Sequence, residues 1–219
     1  MYDFKMAIFD LDGVIVDTAK YHFLAWKELA DKLGFEFTHG HNERLKGVSR
    51  MRSLEILLEV GGLQNRFSEE EKEKMATEKN KRYVEYISKL HADEILPGSR
   101  ELLFLLRSKG IKTGLGSASK NAMQILDSLG IADLFDVIID GTNTSKAKPD
   151  PEVFLLGAKA LGIDPEECVV FEDAQAGIEA AIKAGMTAIG VGSEFNLKGA
   201  SLYVKDLEEF TVLHDWSSQ

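Results

Sequence analysis

The chain has 219 residues, 44% hydrophobic and 28% charged, the balance of an ordinary soluble globular protein and long enough to bury about 70% of its unfolded surface without staples. Its formal charge of −10, from 36 acids against 26 bases, excludes nucleic acid as an expected partner, because that binding relies on Lys and Arg neutralising phosphates. A small phosphorylated ligand needs only a local cluster of donors and stays open.

The lone cysteine, Cys168, cannot close an internal disulfide, which points to a reducing compartment. Met1–Asp10 has neither the basic nor the long apolar region of a secretory signal. The best apolar run, Leu102–Leu106, falls far short of the ~18 residues of a membrane span. A cytoplasmic protein without a membrane partner is expected.

In chain order, Lys5–Leu11 reads as a buried strand and runs into Asp10-Leu11-Asp12-Gly13. Carboxylates two residues apart at a strand end project to one side. Asp and Gly are also ordinary turn residues, but like charges held close at a buried strand end need a cation or a proton-transfer role to offset them. Three helical stretches follow without an intervening strand: Thr18–Leu33, Arg50–Val60 and Ser68–Leu90. Ser68 and Glu71 form a capping box, and Glu70–Lys74 and Glu78–Arg82 are spaced as favourable i,i+4 pairs. His39 and His41 lie in a polar stretch that reads as a solvated loop, and no Cys/His set has zinc spacing.

The chain returns near Pro97 to strands alternating with helices: Lys112–Ser117, Val137–Asp140, Cys168–Asp173 and Thr187–Gly192. Asp150-Pro151 predicts a capped helix with Pro at its first position, and Ala184-Gly185 predicts a helix end. This alternation predicts an α/β fold, a Rossmann-like parallel sheet with helices on both faces and ligands beyond the strands' carboxyl ends. The expected domains are a core of residues 1–15 and 94–219 and an inserted all-helical domain of residues 16–93. The insert would sit over the strand ends, with hinges near Val14–Asp17 and His91–Pro97.

Three further signals lie at strand ends. Gly116-Ser117-Ala118-Ser119-Lys120-Asn121 suits an anion at a helix start, or simple capping by Ser117 or Ser119. Lys148-Pro149 aims one cation from an extended backbone, or is a solvated loop; its adjacency to Pro149 favours Lys148 over Lys146. Glu172-Asp173 closes another apolar strand, and paired acids on one rim suit a hard cation such as Mg²⁺.

Taken in this order, the DxDG element, the serine loop, Lys148-Pro149 and Glu172-Asp173 resemble the four motifs of the haloacid dehalogenase superfamily of phosphoryl-transfer enzymes, and the helical insert resembles its small α-helical cap. The resemblance spans essentially the whole chain. It implies Asp10 as a nucleophile forming an aspartyl phosphate and Asp12 as general acid and base. It further implies Mg²⁺ on Asp10, the Asp12 carbonyl, Glu172 and Asp173, and phosphoryl oxygens held by Ser117, the Ala118 N–H and Lys148.

Thr18, His22, Trp26, Leu45-Lys46-Gly47-Val48-Ser49-Arg50, Lys79-Asn80 and Ser117–Asn121 are similar to the β-phosphoglucomutase family. That resemblance implies a small sugar phosphate as substrate and a bisphosphate intermediate. Arg50, Ser119, Lys120 and Asn121 would hold its distal phosphate, and Thr18, His22, Trp26, Lys46, Gly47, Ser49 and Lys79 would shape or contact the substrate site. The bland alternatives are a structural histidine at His22, cap core at Trp26 and a solvated helix charge at Lys79. Met51 and Arg52 depart from the family pattern, which often has acidic residues there, and would add positive charge near the distal phosphate. Isomerase, sugar-phosphate phosphatase and catalytically silent binding module all remain as readings, with a monomer expected.

Overall fold

In the computed structural model, residues 4–45, 48–192 and 197–214 are described. The chain divides into two compact units, Met1–Asp17 with His91–Gln219, and Thr18–Leu90. Strand β1 (Met6–Phe9) leads into the second unit, which holds α1 (Ala19–Leu33), α2 (His39–Glu43), α3 (Arg50–Val60) and α4 (Glu69–Ile87). The first unit resumes with α5 (Ser99–Ser108), β2 (Lys112–Gly116), α6 (Ala122–Leu129), β3 (Val137–Ile139), α7 (Glu152–Leu161) and β4 (Cys168–Glu172). It ends with α8 (Gln175–Lys183), β5 (Thr187–Val191), β6 (Leu202–Val204) and α9 (Leu207–Leu213).

The six strands form one parallel sheet in the order β3-β2-β1-β4-β5-β6. A central parallel strand is covered on both faces and so reads as an unbroken apolar run; all four residues of β1 are buried. Met6 and Ile8 pack with Val153 and Phe154 of α7 and Ile178 and Ala181 of α8. Strand alternation sends Phe9 to the other face. There it stacks on Phe171 at 4.8 Å, and Phe171 meets Phe210 of α9 edge-on at 4.7 Å. Helix α5 buries Leu102, Leu103 and Leu106 and packs against α9 and β2.

The order reverses at β1, whose neighbours are β2 and β4, so the chain leaves in opposite directions on its two sides. A crevice opens at such a switch point, beyond the carboxyl ends of the strands. The two segments linking the units run side by side: Val16 bridges Ile95, Leu96 N–H donates to Ile15 C=O at 2.9 Å, and Ser99 Oγ donates to Val14 C=O at 3.0 Å.

Several local expectations are corrected. Strands stop a residue or two short of their predicted ends, so Asp10, Ser117, Asp140 and Asp173 lie in the loops just beyond β1 to β4. The predicted helix at Pro151 begins at Glu152; Pro151 is its N-cap, accepting from Phe154 and Leu155 at 3.1 Å. Strict alternation fails after β5, where β6 pairs directly with it and no helix intervenes among the described residues. β6 and α9 were not predicted; a three-residue strand is too short to show a period.

In the second unit, Trp26, Ala30, Phe37, Leu54, Leu57 and Ala76 form the core. The predicted loop at His39 and His41 is instead helix α2. His41 N–H donates to Thr38 Oγ1 and Thr38 N–H donates to His41 Nδ1, a reciprocal cap. The His39 ring stacks on Phe23 at 3.8 Å. The capping box at Ser68 and Glu71 and the Glu70–Lys74 pair at 2.8 Å form as expected. The Glu78–Arg82 pairing does not: Arg82 meets both oxygens of Glu28 on α1, at 2.9 and 3.1 Å, and Glu85. A carboxylate offering two oxygens to the guanidinium outcompetes a single i,i+4 contact.

Candidate active site

The parallel register puts the ends of β1, β2, β3 and β4 on one rim. Asp10 N–H donates to Phe171 C=O at 2.9 Å, continuing the ladder one residue past β1, and Ser117 N–H donates to Ile139 C=O at 3.0 Å. Asp10, Glu172 and Asp173 each bring a carboxylate oxygen within 4.8 Å of the others. Asp10 and Glu172 are buried, whereas Asp173 is partly exposed. Lys148 Nζ lies 2.6 Å from Asp10 Oδ1 and also pairs with Glu172 Oε1. The Phe154 ring lies beside the ammonium, 4.8 Å from its centroid.

Burial alone would lower the Lys148 pKa, but the Asp10 and Glu172 charges outweigh it and hold the ammonium above its usual range. Burial raises the Glu172 carboxyl most, Lys148 opposes this, and Asp10 and Asp173 add to it, leaving it pushed up to about 8. Three carboxyl groups thus crowd around one ammonium, and with no further cation Glu172 is driven toward its protonated form. Hard oxygen donors so gathered match the donor chemistry of a divalent cation.

Two glycines make room for the acidic pair. A Cβ on Gly13, whose φ is +82°, would lie 2.2 Å from Asp173 Oδ2, and one on Gly177 would lie 1.9 Å from the Glu172 carboxyl carbon. Gly13 belongs to the tight turn that carries Asp12: Gly13 N–H donates to Val16 C=O at 2.8 Å, and Asp12 bridges Val16. Gly177 and Gly141 were missed by sequence reasoning, since each shows its role only through a distant contact. A Cβ on Gly141 would come 2.4 Å from the Ala118 carbonyl oxygen.

The serine loop closes on itself. Ser117 Oγ accepts the Ser119 N–H at 3.1 Å and Ser119 Oγ accepts the Asn121 N–H at 3.2 Å. Neither serine is the N-cap of α6; Asn121 holds that position. Ser117 is buried, while Ala118 and Lys120 are exposed.

The remaining predicted residues belong to the second unit. Thr18 is buried and its carbonyl accepts the Tyr21 and His22 N–H groups at 3.0 Å, opening α1. Lys79 is not a charge on a solvated helix: it is 4% exposed. Its ammonium lies 4.4 Å from the Trp26 ring centroid, 4.9 Å from that of Tyr83 and 2.8 Å from His22 Nδ1. The aromatic faces attract the cation, and lysine has only donors, so Nδ1 accepts and the neutral imidazole carries its proton on Nε2. The His22 ring stacks on Tyr83 at 4.0 Å. Burial first, then the charges of Lys79 and Arg50, holds His22 well below its ordinary 6.5.

Arg50 opens α3 after the N-cap Ser49, whose Oγ accepts the Arg52 N–H at 3.3 Å. Met51 packs on the unit's apolar core, and the Arg52 guanidinium is taken up by Glu55 at 2.8 Å and Glu59 at 3.2 Å. Lys46 and Gly47, also predicted as substrate-binding, lie outside the described residues.

A family model for haloacid dehalogenase-like hydrolases matches residues 4–185. The chain belongs to this family. It is 46% identical over 213 residues to β-phosphoglucomutase of Bacillus subtilis, covering 96% of this chain and 94% of that protein. A crystal structure of β-phosphoglucomutase from Clostridium difficile superposes with a TM-score of 0.89 at 50% identity, over 93% of this chain and 92% of that one. A phosphorylated carbohydrates phosphatase of Thermotoga maritima is 36% identical over 220 residues, 96% of this chain and 99% of that one. The chain is thus an enzyme of this family and a homologue of β-phosphoglucomutases over nearly its whole length.

Proposed function

We propose that the protein interconverts β-D-glucose 1-phosphate and glucose 6-phosphate through an aspartyl phosphate on Asp10 and β-glucose 1,6-bisphosphate. The aspartyl phosphate is supported by the buried Asp10 carboxylate at the switch point, 2.6 Å from the Lys148 ammonium, and the mutase reaction by near-full-length similarity to β-phosphoglucomutases. With Asp10 phosphorylated, the C6 hydroxyl of glucose 1-phosphate attacks phosphorus, its proton passes to the Asp12 carboxylate, and the bond from phosphorus to Asp10 breaks. After the bisphosphate turns over, Asp10 attacks the C1 phosphoryl group. The phosphorus–oxygen bond to C1 breaks, Asp12 returns the proton to that oxygen, and glucose 6-phosphate leaves.

Ser117 Oγ, the Ala118 N–H and Lys148 hold the phosphoryl oxygens, where charge stabilisation contributes most. For the second phosphate the proposed residues are Ser119, Lys120, Asn121 and Arg50, Arg being suited to bidentate contact. His22, Lys79 and Trp26 shape the sugar site. Asp10, the Asp12 carbonyl, Glu172 and Asp173 would hold Mg²⁺, which would supply positive charge to the phosphoryl oxygens. The small sugar phosphate is the only partner invoked. Among the described residues no helix is long and apolar enough to cross a membrane, which suits a cytoplasmic enzyme.

The test supplies Mg²⁺, β-glucose 1-phosphate and a trace of β-glucose 1,6-bisphosphate, and follows glucose 6-phosphate and free phosphate together. Rapid glucose 6-phosphate with little free phosphate is expected, and Asp10→Ala should abolish it. Free phosphate matching substrate loss would make the protein a phosphatase, like its Thermotoga maritima relative by name.

A further inference from the structure

The loop from β3 to α7 carries Lys148, yet its middle is exposed: Ser145, Lys146 and Ala147 all face solvent. Apolar packing therefore does not fix the approach to Lys148, the buried cation of the core site. The start of the loop is braced by Asp140, whose Oδ1 accepts the Thr142 N–H at 2.8 Å and its hydroxyl at 2.6 Å, and whose N–H donates to Asn143 Oδ1 at 2.9 Å. Gly141 N–H ties the same end to the serine loop, donating to Ser119 C=O at 3.1 Å.

The end nearest Lys148 is braced by a residue that no motif singles out. Glu152 is the first residue of α7, a helix anchored by buried Val153 and Phe154. Its Oε2 accepts the Ser145 N–H at 2.9 Å and the Lys146 N–H at 2.7 Å, and its Oε1 accepts the Ser145 hydroxyl at 2.9 Å. The chain between these anchored amides and Lys148 is a single residue, Ala147, whose C=O accepts the Asp150 N–H at 3.0 Å.

We infer that Glu152 is a positioning residue: by holding Ser145 and Lys146 against the first turn of α7, it sets where the Lys148 ammonium meets Asp10 and Glu172. The bonds from Lys146 and Ser145 hold the Glu152 carboxyl below its usual range, so the acceptor is ionised at neutral pH. An anion at this helix N-terminus is also favourably placed. The inference rests on reading Lys148 as the phosphoryl-binding cation.

The test is a double-mutant cycle of Glu152 and Lys148, read on the mutase reaction and on hydrolysis of p-nitrophenyl phosphate, which calls on Asp10 and Lys148 without a sugar. Glu152→Ala is expected to lower kcat about 10- to 100-fold, the scale of a misplaced catalytic group, with a smaller change in KM. Glu152→Gln should recover most of this loss, because its amide oxygen can accept both backbone N–H groups and its NH₂ can donate to the Ser145 hydroxyl. In a Lys148→Ala background, Glu152→Ala should cost nothing further. Hydrogen exchange at the Ser145 and Lys146 amides should be slow in the parent and in Glu152→Gln, and fast in Glu152→Ala.

Equal losses in both backgrounds with a lowered Tm would make Glu152 merely structural and overturn the inference, as would full activity of Glu152→Ala. A parent protein that hydrolyses p-nitrophenyl phosphate but does not isomerise the sugar phosphate would overturn the mutase reading alone, and the Glu152 cycle would still be decided on the first substrate.

Discussion

Among the described residues, each unit of the protein buries one lysine at its candidate functional cluster, and the two are stabilised by different chemistry. Lys148 is held by the carboxylates of Asp10 and Glu172, and its ammonium is pinned by opposite charge. Lys79 lies against the faces of Trp26 and Tyr83 and donates to an imidazole. The first arrangement fixes the charges of carboxylate and cation together, so changing either partner disturbs the other. In the second, the aromatic faces have no charge of their own to leave unpaired when the lysine is changed.

The contrast is sharpest for removal of each charge. Lys148→Ala leaves Asp10 and Glu172 buried beside Asp173 without their counter-charge. It should lower turnover about 10³-fold, as loss of a transition-state donor does, and destabilise the protein by roughly 3 kcal/mol through the uncompensated carboxylates. Steady-state kinetics and urea unfolding check both. Lys79→Met keeps the volume and removes the charge, so stability should change by about 2 kcal/mol, the scale of a desolvated cation–π contact and less than for Lys148. The second lysine would cease to be the weakly coupled one if its loss unfolded the protein.

A third effect belongs to the inserted unit. The folded pKa of His22 lies below its ordinary 6.5, so the imidazole contributes stability above that value. As pH falls through 6.5 and toward the folded pKa, the unfolded chain takes up a proton that folded His22 refuses. The stability difference between the parent and His22→Gln should shrink by about 1.4 kcal/mol per pH unit there, measured by urea unfolding from pH 7.5 to 5. In Lys79→Met the His22 resonance should titrate at higher pH, since the Lys79 charge is one cause of the depression. The smallest effect is Arg52→Ala: its guanidinium is occupied by Glu55 and Glu59, so KM for sugar phosphate should stay unchanged.

How much of this was legible in the sequence follows the same division. The α/β sheet and its acids stood out because apolar runs such as Met6–Phe9 and Cys168–Phe171 end abruptly in carboxylates, which is a local signal. Lys79 was named through the family resemblance, but its burial was hidden by its neighbours Glu78, Lys81 and Arg82, although the spacing Ala76, Lys79, Tyr83, Ile87 is the buried stripe of α4. Reading the period rather than the local charge would have found it. Helix α2 was missed because its start is capped by a histidine rather than Glu or Gln, and Glu28 captured Arg82 from a helix far away in sequence. Gly141, Gly177 and Glu152 act through tertiary contacts that no short window of sequence displays.

Gly177 sets a limit on improving this enzyme by design. It stands within α8, where replacing glycine by alanine ordinarily gains roughly 1 kcal/mol. Here the added methyl would occupy the space of the Glu172 carboxyl, 1.9 Å from its carbon. Gly177→Ala is therefore expected to displace Glu172 and disturb its pairing with Lys148, so the helix gain is outweighed and stability and turnover fall together. At this position a design rule that fills helices with alanine removes the space that the buried acid needs.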